Sequence, residues 1–410
     1  MENRVVITGM GVFSCLGNGI EEVTDSLKKG KSGIVYSQER KSLGYRSPLT
    51  GKLPEVNIKD YLDRKSRLRF SEHGLYAYIA VMEALKMSAI DEEYMLNKEI
   101  GLIVGNDSSA KAIIDGVDTI REKKNTVLVG SGNVFQSMNS TISMNLAVNL
   151  GIKGISMTVS AACASSSHAI GIATMMIRSG MQERIICAGA QEVNVYSVGS
   201  FDGISAFSSK IDTPQEASRP FDKDRDGLVP SGGGAAIVVE SLKSAKERGA
   251  HIIAEIKGYG ISSGGEHLTI PSVEGPLTAM QRALNDAKIK ASDLDYINAH
   301  ATSTKVGDAN EAKAISILLG DSKSKCYVSS TKSMTGHELW MAGTSEVIYS
   351  LIMMNNSFVA PNINLIEKCE EASELIISNE KIDKNIDYFL SNSFGFGGTN
   401  SALVISKWKE

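Results

Sequence analysis

The stretch SAACASSS at 160–167 sets one thiol, Cys163, among alanines and serines. An apolar run, GISMTV, ends just before it at Val159, and HAIGIATMMIRSG follows with helical spacing. Cys163 is therefore expected where a strand gives way to a helix. A thiol there meets unpaired backbone N–H groups and the positive end of the helix dipole. Both favour thiolate, which is the nucleophilic form. The small neighbours leave room for a long acyl thioester to reach the sulfur. A lone cysteine is also commonly a small buried core residue, so this turn alone leaves both readings open.

Two further small-residue turns carry imidazole. In YINAHATST (296–304) an apolar run ends at His300, with Thr302, Ser303 and Thr304 behind it. In SSTKSMTGHELWMAG (329–343), Lys332 and His337 precede a helical pattern. The chain has only six histidines, and these two sit at turns laid out like that of Cys163. Either alone would pass for a structural histidine; with the thiol they point to one site. Near the end of the chain, NSFGFGGTNSALVI (392–405) sets Gly395, Gly397 and Gly398 around Phe396. Such a loop can aim backbone N–H groups at an anionic oxygen, although glycine-rich turns are common. No GK[ST] follows, so it is not a phosphate loop. SGGGAA at 231–236 lacks the strand–GxGxxG–helix order of a dinucleotide site and reads as close backbone packing.

These turns need a scaffold. Short apolar runs rich in β-branched residues recur, among them RVVITGMGV, EIGLIVGND, RIICAGAQEV, AAIVVES, HIIAEIKGYG and ALVISKW. Helical patterns such as SEHGLYAYIAVMEALKM, PLTAMQRALNDAKI and SEVIYSLIMMNN lie between several of them. The alternation predicts an α/β fold with buried, largely parallel strands. A weak internal repeat relates 4–14 to 251–263, and 159–176 to 328–354. It suggests two related halves, 1–250 with the cysteine and 251–410 with the two histidines. Sites in such layered folds sit at the carboxyl ends of strands.

The 410 residues are 42% apolar and 22% charged, ordinary values for a soluble globular chain. The net charge of −4 argues against nucleic acid, whose partners normally carry a basic face. Five cysteines without a CxxC spacing predict reduced thiols and neither a disulfide framework nor a metal site. The start, MENRVVITGM, has no basic leader before a long apolar run. The apolar runs fall short of the roughly 18–20 residues that span a bilayer. A soluble, cytoplasmic protein with no membrane contact is expected.

The motifs in order, VVITGMGVFSCLGNG, VSAACASSSHAIG, FDGISAFSS, ASRPFDKDRDGLVPSGGGAAIVVES, NAHATST, SSTKSMTGH and SNSFGFGGTN, resemble the elongating β-ketoacyl-acyl-carrier-protein synthases along essentially the whole chain. The resemblance implies the thiolase-like fold, with two related α/β halves stacked in αβαβα layers. It implies a ping-pong reaction. Cys163 takes an acyl group from acyl carrier protein; malonyl carrier protein then loses carbon dioxide, and its enolate attacks the acyl-cysteine. The product would be a 3-oxoacyl chain two carbons longer. His300 and His337 would stabilise the enolate, Lys332 would act through His337, and Glu346 would support them. Backbone N–H groups of Cys163 and Phe396 would form the oxyanion hole, with Phe396 also gating malonyl entry. Thr302 and Thr304 would bind the phosphopantetheine arm, and Phe201 would wall the acyl pocket. The chain itself would hold no cofactor, since the carrier brings the phosphopantetheine, and a homodimer is implied.

Neighbours on the same fold read differently. Thiolases use a second cysteine near the C-terminal glycine loop, absent here. Starter-type synthases typically pair histidine with asparagine, where this chain has His337. A non-catalytic chain-length partner subunit would lack Cys163. A dedicated polyene or polyketide condensing enzyme is the remaining alternative, and a cysteine hydrolase a weaker one. The chain departs from the family at Ala301 and Lys305, where glycine and proline are usual. It departs again at Trp340 and Met341, where the run is usually glycine and alanine. An altered acyl pocket is the expectation. The carrier is acidic, so its docking site should be basic. Arg64, Lys65, Arg67 and Arg69 in DRKSRLR, with Lys123 and Lys124 in REKKN, are the candidates. Such runs are also often plain solvated faces.

Overall fold

Apolar runs without alternation form strands buried on both faces. In the computed structural model, which describes residues 3–265 and 267–409, these runs give ten main strands. They are β1 (Val5–Ser14), β2 (Gly101–Gly105), β3 (Ser156–Val159), β4 (Arg184–Gln191) and β5 (Gly233–Ser241), then β6 (Ala254–Ser263), β7 (Tyr296–Asn298), β8 (Tyr327–Ser329), β9 (Tyr388–Phe394) and β10 (Thr399–Lys407). Every residue of β1, β2, β4 and β5 is buried. The strands lie in the order β8-β7-β9-β10-β6-β1-β5-β4-β2-β3. The order β3-β2-β4-β5-β1 thus recurs, five strands later, as β8-β7-β9-β10-β6. The two sets meet where Val5–Ile7 of β1 pair with Ile256–Ala254 of β6.

The sheet is mixed, which corrects the expectation of largely parallel strands. Only β2 with β3 and β4, and β7 with β8 and β9, run parallel. The pairs β1–β5, β4–β5, β9–β10, β6–β10 and β1–β6 are antiparallel. For β9 and β10 connection length decides this. Residues 395–398 alone join β9 to β10, whereas a parallel crossover needs about a dozen or more.

Helices cover both faces: α1 (Glu72–Met87), α2 (Ala110–Lys123), α3 (Ser165–Arg178), α4 (Glu274–Ala287), α5 (Lys305–Leu319) and α6 (Ala342–Asn355). Three apolar layers separate them. Ala80, Val81 and Leu85 of α1 pack on Leu102, Ile186 and Val238. The alternate strand residues Ile103, Ile185 and Ile237 face the middle layer, which holds Ile170 of α3, Val347 and Leu351 of α6, and Phe389 and Leu403 of the second strand set. Leu390 and Val404 face the third layer, with Met280 of α4 and Ile315 of α5. The result is helix, strand set, helix, strand set, helix, the layering of the thiolase fold, with the two strand sets joined at β1 and β6. The middle helices carry the site. Residues 342–354 of α6 are buried throughout, so SEVIYSLIMM has no polar face. Among the described residues no helix is long and apolar enough to cross a membrane.

Candidate active site

After β3 the chain turns through Ala162 at φ 47°, a left-handed conformation that costs a non-glycine residue about 1 kcal/mol. Cys163 follows in the short turn Ala162–Ala164 that leads into α3. The Ser165 hydroxyl braces this elbow, accepting from Ala161 N at 2.8 Å and donating to Ala162 O at 2.6 Å. The sulfur is almost enclosed, with Cys163 5% exposed. Burial pushes its thiol up to about 12; the charge of Lys332 opposes this and that of Asp107 adds to it. The sequence favours thiolate here on account of the helix end. Desolvation outweighs that field, and the resting group is a neutral thiol.

The glycine loop sits against the elbow. A Cβ on Gly395 would stand 3.0 Å from Ala161 O and 3.1 Å from Ala162 Cβ, so a side chain there would press on the elbow. Gly395 N donates to Thr399 O at 2.7 Å, and Gly397 N to Leu268 O at 2.8 Å. Phe396 is 37% exposed and stacks on Phe201 at 5.9 Å, with Phe207 stacked on Phe201 at 6.4 Å.

His300 lies just past the end of β7. Its backbone N–H and that of Ala301 donate to the two carboxylate oxygens of Glu311, at 2.9 and 2.7 Å. Asn392 donates to the same carboxylate at 3.1 Å. His337 follows Gly336 (φ 68°). Its N–H donates to Val229 O at 2.7 Å, and its carbonyl accepts from Ser231 N at 2.9 Å. The two rings stand edge to face, 5.2 Å apart at 86°. Burial first, then the charge of Lys332, holds both imidazoles well below their ordinary 6.5. Both are neutral at pH 7. Nδ1 of His300 and both ring nitrogens of His337 are buried without a hydrogen-bond partner among the described residues.

Lys332 opens the single helical turn Lys332–Thr335 and is buried. Its ammonium donates to Glu346 Oε1 of α6, forming a buried ion pair. Burial pushes Glu346 up to about 8, with Lys332 pulling it down. Cys163, His300, His337, Phe201, Thr302, Thr304 and Phe396 line one cavity of about 590 Å³. The Thr302 and Thr304 hydroxyls are 3.2 Å apart on its wall. Lys332 and Glu346 stand behind this lining. Among the described residues no cluster of three His, Cys, Asp or Glu could hold a metal ion.

The basic residues lie elsewhere. Arg64 and Lys65 are exposed on the turn Arg64–Arg67. Arg67 donates to Leu62 O at 2.9 Å and Arg69 to Asn149 Oδ1 at 3.0 Å, so both guanidiniums serve local structure. Lys123 and Lys124 are exposed at the end of α2. Two carboxylates at the site escape the sequence reading. Glu311 orders the His300 turn, and Asp107 accepts from the N–H of Ala162. Glu311 shares the spacing of Ile315 and Leu319, all on the buried face of α5. An acid in that apolar series is the signal that could have found it. Two departures are locally harmless. Ala301 lies outside the left-handed region, so its methyl costs the backbone nothing. Lys305 begins α5, where its N–H would have no partner inside the helix anyway.

The model of the β-ketoacyl synthase N-terminal domain matches residues 2–245, and that of the C-terminal domain matches 253–366. The chain belongs to the β-ketoacyl synthase family. A member of that family is a condensing enzyme, whose product carries an oxo group on the third carbon of an acyl chain. This β-ketoacyl synthase is 41% identical over 410 residues to 3-oxoacyl-[acyl-carrier-protein] synthase 1 of Escherichia coli (strain K12), covering 99% of this chain and 100% of that one. Its fold matches the crystal structure of a β-ketoacyl synthase from Burkholderia phymatum STM815 with TM-score 0.94 and 34% identity, over 99% of this chain and 100% of that one. It also matches the ketosynthase in a structure of a type II polyketide acyl carrier protein with its ketosynthase bound to the hexaketide. There the TM-score is 0.87 and the identity 29%, with both chains fully covered.

Proposed function

We propose that the synthase extends acyl chains by decarboxylative Claisen condensation at Cys163, as a 3-oxoacyl-[acyl-carrier-protein] synthase of fatty-acid elongation. The observation that carries this reading is the convergence of Cys163 with His300 and His337 on one cavity, with both imidazoles neutral and with Nδ1 of His300 and both ring nitrogens of His337 unpartnered among the described residues. In the first half-reaction the sulfur attacks the acyl thioester of the carrier. The carrier's thiol leaves and acyl-Cys163 forms. A thiol pushed up to about 12 sheds its proton as it attacks; a neutral imidazole has one lone pair to receive that proton and passes it to the departing carrier sulfur. In the second half-reaction malonyl carrier protein loses carbon dioxide. Negative charge gathers on its thioester oxygen, where imidazole N–H donors meet it without reorganising. The enolate carbon then attacks acyl-Cys163, the carbon–sulfur bond breaks, and 3-oxoacyl carrier protein departs. Covalent catalysis divides one hard step into two easier ones.

The remaining roles belong to the same reading. Lys332, paired with Glu346, is a positioning residue that sets the field at His337. The N–H groups of Cys163 and Phe396 hold the oxyanion, and the exposed ring of Phe396 swings to admit malonyl. Thr302 and Thr304 hold the phosphopantetheine arm, and Phe201 walls the acyl side. The substrates arrive on acyl carrier protein, which the E. coli relative is named for and which the polyketide ketosynthase binds. Residues 1–250 and 251–410 act as two related halves, supported by the recurring strand order. The enzyme works as a cytoplasmic homodimer. Sedimentation of the purified chain checks the dimer and cell fractionation checks the compartment. Intact-protein mass spectrometry with acyl carrier proteins tests the centre of the reading. A mass gain of one acyl group is expected in the native chain and none in Cys163→Ala; equal gains in both would sink it.

A further inference from the structure

Cys163 has an apolar surround distinct from the cavity's polar turns. It clusters with Val198, Phe207, Leu228, Leu339 and Trp340. The cavity reaches Cys163, Phe201 and Leu228, but Val198, Phe207, Leu339 and Trp340 do not line it. The space against that side of the sulfur is filled, and its largest occupant is the buried indole of Trp340. The family resemblance leads one to expect a small residue there.

The indole is fixed from several directions. Its Nε1–H donates to Ser108 Oγ at 3.3 Å. Its ring lies 6.4 Å from that of Phe201, tilted by 50°. Leu339 beside it holds a left-handed φ of 48°, which limits how the turn can rearrange. The Ser166 hydroxyl donates to Met341 O at 3.0 Å and accepts from Thr344 N at 3.0 Å. This ties the Trp340 turn to the first turn of the helix that starts beside Cys163. Nor can the segment settle inward, since a Cβ on Gly343 would stand 2.4 Å from Ser167 N. An acyl chain growing from the sulfur into this apolar cluster therefore meets an indole with no slack behind it.

We propose that Trp340 is a chain-length stop: it closes the apolar end of the acyl side, so that Cys163 accepts short acyl chains and refuses long ones. The proposal rests on the reading of Cys163 as the acyl acceptor. It assigns the substrate class of that site, short acyl thioesters, to one side chain. Overpacking an ordered apolar site is costly because close-packed walls yield little, and each further methylene of a long chain adds to that cost.

The test follows the rate of mass gain on the intact chain from acyl carrier proteins bearing butanoyl, octanoyl and hexadecanoyl groups. The native protein should take butanoyl at least about tenfold faster than hexadecanoyl. W340A should bring octanoyl and hexadecanoyl up to the butanoyl rate, whereas W340F should keep the native order. W340V removes less volume and serves if W340A does not fold. Equal rates for all three chains on the native protein would overturn the stop, as would an unchanged order in a folded W340A or W340V. No gain from any chain on any variant would overturn the acyl-acceptor reading itself, and the stop with it.

Discussion

At the scale of single residues, Lys332 governs groups it does not touch. Its charge lowers both His300 and His337 and opposes the rise of the Cys163 thiol. Buried Glu311 and Glu338 feel it as well, as does its ion-pair partner Glu346, each being pulled down by it against burial. Replacing Lys332 by methionine keeps the stem and removes the charge. Burial, joined at His300 by the neighbouring His337, would still hold the imidazoles down, but with the lysine's charge gone both would rise toward their ordinary 6.5. A protonated imidazole has no lone pair for the thiol's proton. The acid limb of kcat/KM should therefore move to higher pH in Lys332→Met. A lower rate with an unmoved acid limb would assign Lys332 a purely structural part. Much of this site is legible in the sequence, because Cys163, His300, Lys332 and His337 all sit in small-residue turns after apolar runs. The protonation of the thiol is not. The helix end that favours thiolate is local, but the burial that overrides it comes from Trp340, Leu228 and Phe207, far away along the chain. Glu311 shows in the sequence only as an acid in an apolar series; its place under the His300 turn comes from the fold alone.

At the scale of elements, close approach between strand and helix holds the layers. A Cβ on Gly11 of β1 would stand 2.1 Å from Ala80 O of α1, and one on Gly260 of β6 would stand 2.0 Å from Ala279 O of α4. The likeness of RVVITGMGVFS to HIIAEIKGYGISS has a physical meaning here: glycines bring a helix backbone directly onto each opening strand. Gly260→Ala must push α4 outward from the strand that carries the second set. It should destabilise the protein by about 3 kcal/mol, the upper part of the usual overpacking range, read as a lower urea midpoint. A midpoint within error of the native one would mean that α4 floats on β6. Strand direction is the element-scale feature that sequence periodicity misses. A fully buried strand shows the same apolar run whether its neighbour is parallel or antiparallel. The clue lies in the connections, and the short glycine loop at 395–398 is the one place where the sequence states it.

At the scale of the whole molecule, charge has to be reconciled with partner. The chain carries a net −4, and the carrier that the proposed reaction needs is acidic. Long-range repulsion between two acidic proteins slows their encounter, so a local basic face must reverse it. Arg64 and Lys65 suit this role better than their neighbours. Both are exposed, and the cap of their turn is made by Asp63, which accepts from Ser66 N at 2.6 Å. Arg67 and Arg69 are engaged with Leu62 and Asn149. Reversing the first two charges therefore leaves the fold's own bonds intact. R64E/K65E should raise KM for carrier-borne substrates about tenfold while kcat holds. It should leave turnover of a small thioester without a carrier unchanged, and the dependence of KM on salt should flatten as the attraction disappears. The carrier-free substrate separates docking from damage at Cys163, because a distorted site would slow both. An unchanged KM with the carrier would make DRKSRLR a plain solvated face, and the search for the docking site would pass to Lys123 and Lys124 at the end of α2.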